Sequence, residues 1–551
     1  MKNIIHKLAL VVCLLFSSTA CEDFLEVENE GAFIPETVLA NPNGMGQLLN
    51  GVYSTFLDLG NWDYRFGMWY YSIPGTDIGY ERPGTPSWRQ AVDRYIMDPA
   101  SNIPGGKFRV LFRVIAKANQ VISVIPSANA TEELKAEGEA EARFLRGFAF
   151  FEGTRIFGEL PISLTSPATV AEAIAIDPAS GDRAPVKDVF EQIIFPDLEF
   201  AANNLPDTER LPGTATSWAA KGLLAKAYMQ AAGQFDLAPS GGSYWSMAIP
   251  LLQDIINNGP YSLTPGNNYS EIFDVNFEGA NTEKIWSIKM LSANSPDGFA
   301  MFWFGPQNYG TEDPIYLQNP DRRVFPTTNS FGGGRQNLQV YEDFYNSFDP
   351  IDLRRDVAIR DYTFNMTDDD GNLLTGSTRW PWGVNKYNYD EVAFEANSRD
   401  GIDRIMLRLA DIHLLLAEAI NEANGPTGEA FAAINAVRQR AGIADLSAGD
   451  MIDGHFTYGN GTHGLGTPEG FRFAVLRERA WELCYEHHRR FDLNRHEYLD
   501  DVALNRWGVP GDEPTNKNYP PILTSFPQGR ELFPIPAEQL TINGWQQNPG
   551  Y

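Results

Sequence analysis

Apolar residues recur at three- and four-residue intervals through several long stretches of this chain, a period that predicts amphipathic helices. In Phe108–Ile125 the apolar positions are Leu111, Ile115, Ala118 and Val121, and Pro126 marks the end. Thr131 is a candidate N-cap with Glu132 and Glu133 in the first turn, where carboxylates favour the helix dipole; the helix it opens runs to about Phe157. Further helices are expected at Val186–Leu205, Ser217–Ala232, Trp245–Asn258, Ile405–Ala423, Glu429–Ala441 and Phe471–His496. On Ser217–Ala232, Ala219, Leu223 and Ala227 share one face and let a partner helix approach closely. The intervening stretches have another texture, rich in Trp, Tyr, Asn, Gly and Pro, and no helical period holds there.

Paired amphipathic helices joined by turns predict a mainly α fold, a superhelical frame of TPR-like helix-turn-helix units. The units are not contiguous, so the frame occupies about 107–260 and 404–496. A large inserted, loop-rich lobe with short strands takes up about 60–106 and 261–403, and 497–551 forms a C-terminal segment.

The N-terminus has a different pattern. Lys2 and Lys7 flank a basic start, and Leu8–Phe16 is an unbroken apolar run. The run is far shorter than the roughly 20 residues a membrane-spanning helix needs and fits the apolar region of a secretory signal. Ser17, Ser18, Thr19 and Ala20 then lead to Cys21. A cysteine after a small residue at the cleavage point is the arrangement of a bacterial lipobox, although Ser18 stands where an aliphatic residue is usual. The expected product is a signal of residues 1–20 removed from a body of residues 21–551, lipidated at Cys21. Cys13 is lost with the signal and Cys484 stands alone, so the mature chain has no internal disulfide. Its stability must come from a hydrophobic core.

The net charge of −28 excludes nucleic acid as a partner, because phosphate binding needs basic surface, and mildly disfavours polyanionic ligands.

Read in order, the helices carry a familiar succession of motifs. Glu139-Ala-Glu-Ala-Arg-Phe-Leu-Arg146, Phe150-Phe151 and Phe157-Gly-Glu-Leu-Pro161 come first. Arg183–Val186, Asp197-Leu-Glu199 and Ala201–Pro206 follow, and then Ala215-Thr-Ser-Trp-Ala-Ala-Lys-Gly-Leu-Leu-Ala-Lys-Ala-Tyr228. Beyond the insertion come Leu407-Arg408, Ala417-Glu-Ala419, Ile434–Gly442, Arg477-Glu-Arg479, Glu482-Leu483, Glu486 and Arg489–Arg495. Phe533-Pro-Ile-Pro536 and Gln547-Asn-Pro-Gly-Tyr551 close the chain. Collinear from Cys21 to Tyr551, these resemble the SusD/RagB lipoproteins of Bacteroidetes. His487 and His488 depart from the pattern where the family often has a glycine, and Gly147 stands where a larger residue is usual.

The resemblance implies a glycan-binding lipoprotein on the outer membrane, held by its lipid and facing outward. The acidic Glu22 and Asp23 resemble the family's surface-export signal. It also implies a SusC-like TonB-dependent transporter as partner, receiving captured oligosaccharide or polysaccharide, and no covalent chemistry. Peptide cargo, as in the RagB branch, is the alternative within the fold. A surface-anchored hydrolase is the alternative outside it. No cofactor is expected. Some members hold a calcium ion, and no position for one follows from these residues.

Several motifs have an ordinary structural reading beside a chemical one. Glu478, Glu482 and Glu486 resemble the paired carboxylates of a glycosidase, but the same i, i+4 spacing builds an ion-pair ladder with Arg479, Arg489 and Arg490. Cys484, His487 and His488 suggest metal ligands, yet adjacent histidines on a helix diverge by about 100°, and no second cysteine completes a site. Asp368-Asp-Asp-Gly-Asn372, aligned as a calcium loop, puts Ser377 where Glu is needed, and reads instead as a hairpin turn. No metal site is expected.

The aromatic loops carry the binding expectation. A sugar has an apolar face and a polar rim, so its site needs an aromatic platform beside Asp, Asn or Arg. Trp62–Tyr71 is dense enough to be core. Trp88, with Tyr80, Asp77 and Arg82, sits in a loop broken by Pro83, Gly84 and Pro86, where the resemblance implies the first platform. Trp303, with Asn308 and Tyr309 among glycines, is the candidate for the second.

Overall fold

The computed structural model describes residues 39, 41, 43–57, 64, 67–82, 85–164, 183–277, 281–292, 295–296, 304, 337–367, 373–387, 401–455, 458–505, 523 and 525–551. Its frame is built from α1 (Gly44–Tyr53), α2 (Ser87–Asp93), α3 (Asn102–Val124), α4 (Glu132–Phe157), α5 (Phe195–Asn204), α6 (Ser217–Gln234), α7 (Tyr244–Asn258), α8 (Leu409–Asn424), α9 (Gly428–Ala441), α10 (Pro468–Leu483) and α11 (Arg489–Arg495).

Local chemistry starts and stops these helices, most of them near the expected bounds, although α3 begins at Asn102, six residues before the expected Phe108. Thr131, Thr216, Thr427 and Thr467 each accept a first-turn backbone N–H through the side-chain oxygen. Gly442 ends α9 in the left-handed region (φ 76°), which costs a residue without Cβ nothing. The expected helix at Val186–Leu205 contains a π turn at Phe190–Ile194 ahead of α5.

The helices pack in succession: α3 on α4, α4 on α5, α5 on α6, α6 on α7, and then α7 directly on α8. The superhelix is therefore continuous in space although 259–408 separate its halves in sequence. Two short ladders secure the insertion. Lys284–Ile288 (β2) pairs antiparallel with Arg404–Arg408 (β6) at its neck, and Tyr80–Glu81 (β1) pairs antiparallel with Leu338–Gln339 (β3). A longer hairpin joins Ile359–Thr367 (β4) to Leu373–Val384 (β5); the turn residues 368–372 lie outside the described residues.

Two expected helices are corrected. Ile405–Arg408 is strand β6, because its backbone pairs with β2, and the helix begins only at Leu409. Phe471–His496 is not one helix: it breaks at Cys484–His488, where Tyr485 (φ 65°) and His487 (φ 71°) turn left-handed. The break is held by side chains that capture the carbonyls a helix would have used. Glu482 O accepts from Lys386 Nζ (2.7 Å), an Arg408 nitrogen (2.8 Å) and Tyr269 Oη (2.9 Å). Tyr485 O accepts from Trp69 Nε1 (3.0 Å) and Tyr387 Oη (2.8 Å). His487 thus occupies a conformation that suits glycine, the residue the resemblance puts there.

The small face of α6 meets a strand as well as helices. A Cβ on Gly222 would lie 2.3 Å from Leu407 Cδ2 of β6, so a larger residue there requires the Leu407 side chain to shift. Trp286 of β2 fills the adjoining space, edge-on to Phe144 and Phe148 of α4 at 4.8 Å each.

Glu478 and Glu482 of α10, with Glu486 in the break that follows, form a structural network, as expected, but their counter-charges come from other elements. Glu478 takes Arg354 and Arg438, each at 2.7 Å. Glu482 takes Arg354 at 2.9 Å together with Arg408 and Arg440. Glu486 takes Arg408 at 2.7 Å and Lys386. Glu283 joins from the neck of the insertion, 2.6 Å from Arg408. Burial by itself would raise the Glu482 carboxyl, but the surrounding guanidiniums outweigh it and hold the group well below the usual range. Arg479 instead pairs with Asp411 (2.8 Å) and Asp492 (2.9 Å), and Arg489 with Asp77.

Glu482→Gln removes this charge without opening a cavity and leaves buried guanidiniums short of a counter-ion. A loss of about 3–5 kcal/mol is expected, read as a fall in the urea midpoint. Glu139→Gln, which breaks a half-exposed pair with Arg143, should cost under about 1 kcal/mol.

Candidate ligand-binding site

The segment around β1 and α2 is braced from below by buried polar groups. Asp93, at the end of α2, accepts from Gly75 N (2.7 Å) and Glu81 N (2.6 Å), fixing both flanks of the turn. Gly79 lies so close to Gln339 O that a Cβ would sit at 2.5 Å, which lets β1 reach β3. Arg82 N donates to Asn337 O at 2.7 Å and extends that pairing. Thr85 Oγ1 donates to Arg82 O (2.9 Å) and Gln90 Nε2 to Thr85 O (2.7 Å), so the loop before α2 closes on itself.

Upon this base stands Trp88, half-buried, one edge packed on the core and the Arg89 guanidinium 5.1 Å from its ring centroid. Arg82 is likewise half-buried. Tyr80 lies deeper, 3% exposed, its ring 4.7 Å from that of Tyr341. Asp77 is fully buried, and Arg489 Nε donates to its Oδ1 at 2.7 Å. Of the four residues expected here, Trp88 and Arg82 are half-buried, and Tyr80 and Asp77 are buried. Trp303, Asn308 and Tyr309 lie outside the described residues, as does Cys21.

The residues that position Trp88 escaped the sequence reading. Asp93, Gln90 and Tyr70 have no spacing signal, because what they bind is brought near only by β1 and its turn. Tyr70, Trp69, Tyr71 and Tyr64 are core, as their density predicts. Glu81 is held by the Tyr70 hydroxyl, which donates to Oε2 at 2.5 Å, while Oε1 has no hydrogen-bond partner among the described residues. Burial pushes its carboxyl up to about 8, against opposing effects of Tyr70 and Arg89.

The groups that suggested metal or acid chemistry are otherwise engaged. His487 Nε2 lies 3.1 Å from Glu152, and Cys484 donates to Trp481 O. Glu478, Glu482 and Glu486 are 2% exposed or less and already bound by cations, so no sugar reaches them. No group of three potential metal ligands occurs among the described residues.

A continuous helical superhelix with an inserted lobe tied back beside a half-exposed tryptophan defines a scaffold for binding, and its relatives agree on the class. Residues 358–551 match the SusD family, and residues 82–229 match a family described as starch-binding associating with outer membrane. SusD-like protein P25 of Formosa agariphila is 27% identical over 98% of this chain and 97% of its own. A SusD homolog from Bacteroides thetaiotaomicron shares the fold with a TM-score of 0.72 at 23% identity, covering 94% of this chain and 98% of that one. A laminarin-binding SusD-like protein gives 0.67 at 19%, covering 93% and 100%. The chain belongs to the SusD/RagB family.

The buried Glu81 makes stability pH-dependent. Its folded pKa of about 8 exceeds the ordinary 4.5, so the stabilisation from its protonated form is complete below about pH 4.5 and lost as pH rises through about 8. Glu81→Gln keeps an acceptor for Tyr70 and removes the titration. Between pH 5 and pH 8 the variant should gain on the wild type by an amount on the order of 3 kcal/mol, visible as diverging thermal midpoints.

Proposed function

We propose that this chain is a surface glycan-binding lipoprotein that captures oligosaccharide or polysaccharide and delivers it to a SusC-like TonB-dependent outer-membrane transporter. The reading is carried by similarity to SusD-like proteins along nearly the whole chain. Solved relatives of the same fold are described as a laminarin-binding SusD-like protein and as surface glycan-binding protein A from Bacteroides fluxus. Binding without catalysis fits the neutralised state of the α10 carboxylates. Attachment is assigned to lipid on Cys21; among the described residues no helix is long and apolar enough to cross a membrane.

Trp88 supplies the first platform, with Arg82 at its rim and Tyr80 and Asp77 fixing the wall behind. Trp303, Asn308 and Tyr309 supply the second. Stacking a sugar ring on indole removes about 100 Å² from water, worth at most roughly 2.5 kcal/mol. Two such platforms suit weak, reversible capture.

Affinity electrophoresis of Glu22–Tyr551 against a polysaccharide panel should find retardation by at least one neutral polymer. Trp88→Ala should weaken that binding by up to about 60-fold while the chain stays folded, and Trp303→Ala should weaken it similarly. Retention by no glycan would count against the reading and favour peptide cargo. For the anchor, Cys21→Ser expressed in a Bacteroidetes host should move the protein out of the outer-membrane fraction; unchanged fractionation would sink that assignment.

A further inference from the structure

The C-terminal motif returns to the end of α4 and leaves a cleft there. Phe533 N donates to Ile156 O (2.8 Å), and Asn548 Nδ2 donates to Phe157 O (2.9 Å) and Phe533 O (2.7 Å), so the last carbonyls of α4 are met by Phe533 and Asn548. Gly158 follows at φ 77°. Arg183 locks the arrangement by donating to Asn548 Oδ1 at 2.8 Å and Gln546 O at 3.1 Å. Between these segments and the end of α6 lies an open cleft of about 450 Å³.

Its chemistry is that of a sugar site. Phe235 is half-buried and offers an apolar face. Around it stand the carboxylates of Glu159 and Glu531, the amides of Gln234 and Gln546, and the Arg183 guanidinium. The Glu159 side chain is 50% exposed, 3.8 Å from Arg183, so it retains capacity to accept from hydroxyls. Gln234 Oε1 accepts from Gln230, while its Nε2 is buried with no hydrogen-bond partner among the described residues. Two carboxylates against one guanidinium disfavour anionic ligands. The volume falls toward the lower end of the roughly 300–1,000 Å³ of small-molecule sites, which suits one or two rings.

We propose that this cleft is a second glycan subsite, taking one or two neutral sugar residues, formed by elements separate from the Trp88 segment. The assignment rests on the glycan-binding reading above. A polysaccharide long enough to span both subsites would bind more tightly than a short oligosaccharide occupying one.

Hydrogen–deuterium exchange of Glu22–Tyr551 tests it, using short neutral gluco-, manno-, xylo- and galacto-oligosaccharides as probes. At a concentration ten times Kd, exchange in 156–160, 231–237 and 545–551 should slow by roughly ten-fold. The slowing should persist in Trp88→Ala and vanish in Phe235→Ala and in Glu159→Gln; the second is a surface change that leaves folding intact. Protection confined to 77–95 would overturn the second subsite and leave the first reading standing. Protection at the cleft that survives both cleft variants would also overturn it. Binding of no probe, together with no retardation by any polysaccharide, would overturn both.

Discussion

The structure depends on Glu482 being buried and fully neutralised. A carboxylate in that position is severely penalised by desolvation, and only the convergence of Arg354, Arg408 and Arg440 makes it tolerable. Those arginines belong to three different parts of the chain: the segment before the β4–β5 hairpin, strand β6 at the neck of the insertion, and helix α9. Glu482 is therefore the point at which frame and insertion must agree in position. A buried ion lattice of this kind adds little net stability over an apolar core. Its effect is on uniqueness, since any other packing strands a charge.

The same lattice explains why the helix at 468–496 is broken. Arg408 pairs with Glu482 and Glu486 and Lys386 with Glu486, and both also donate to the freed carbonyl of Glu482. Trp69 and Tyr387 take the carbonyl of Tyr485. Ion pairs and carbonyl capture thus act together, and the left-handed turns at Tyr485 and His487 are held by contacts from three segments.

The motifs that carry the family resemblance are mostly parts of this machinery. Arg477–Glu486 and Arg489–Arg495 build the ion networks. Phe157–Pro161, Arg183, Phe533–Pro536 and Gln547–Tyr551 close the end of α4. They identify the scaffold strongly and the ligand hardly at all. Trp88 was singled out because aromatic and polar residues in a proline- and glycine-broken stretch suit a sugar; the stretch is not loop at that point, since Trp88 stands half-buried on helix α2. Its neighbours Tyr80 and Asp77 were legible only as chemistry. One is a strand residue stacked on Tyr341 and the other a counter-ion for Arg489, and neither fact leaves a trace in local spacing.

From the amino-acid order alone come most of the helices, the Thr131 cap, the interruption of the frame and the family, because periodicity, capping and motif order are local or collinear properties. Tertiary structure decided which half of the Tyr80–Arg89 loop faces outward, where the 468–496 helix breaks, and which arginine meets which glutamate. It also brought Glu159, Gln234 and Gln546 around one cleft. Each of these depends on partners far apart in sequence, up to 416 positions for Trp69 and Tyr485. Side-chain charge and hydrogen-bonding capacity do not specify a partner until the backbone has placed one within reach.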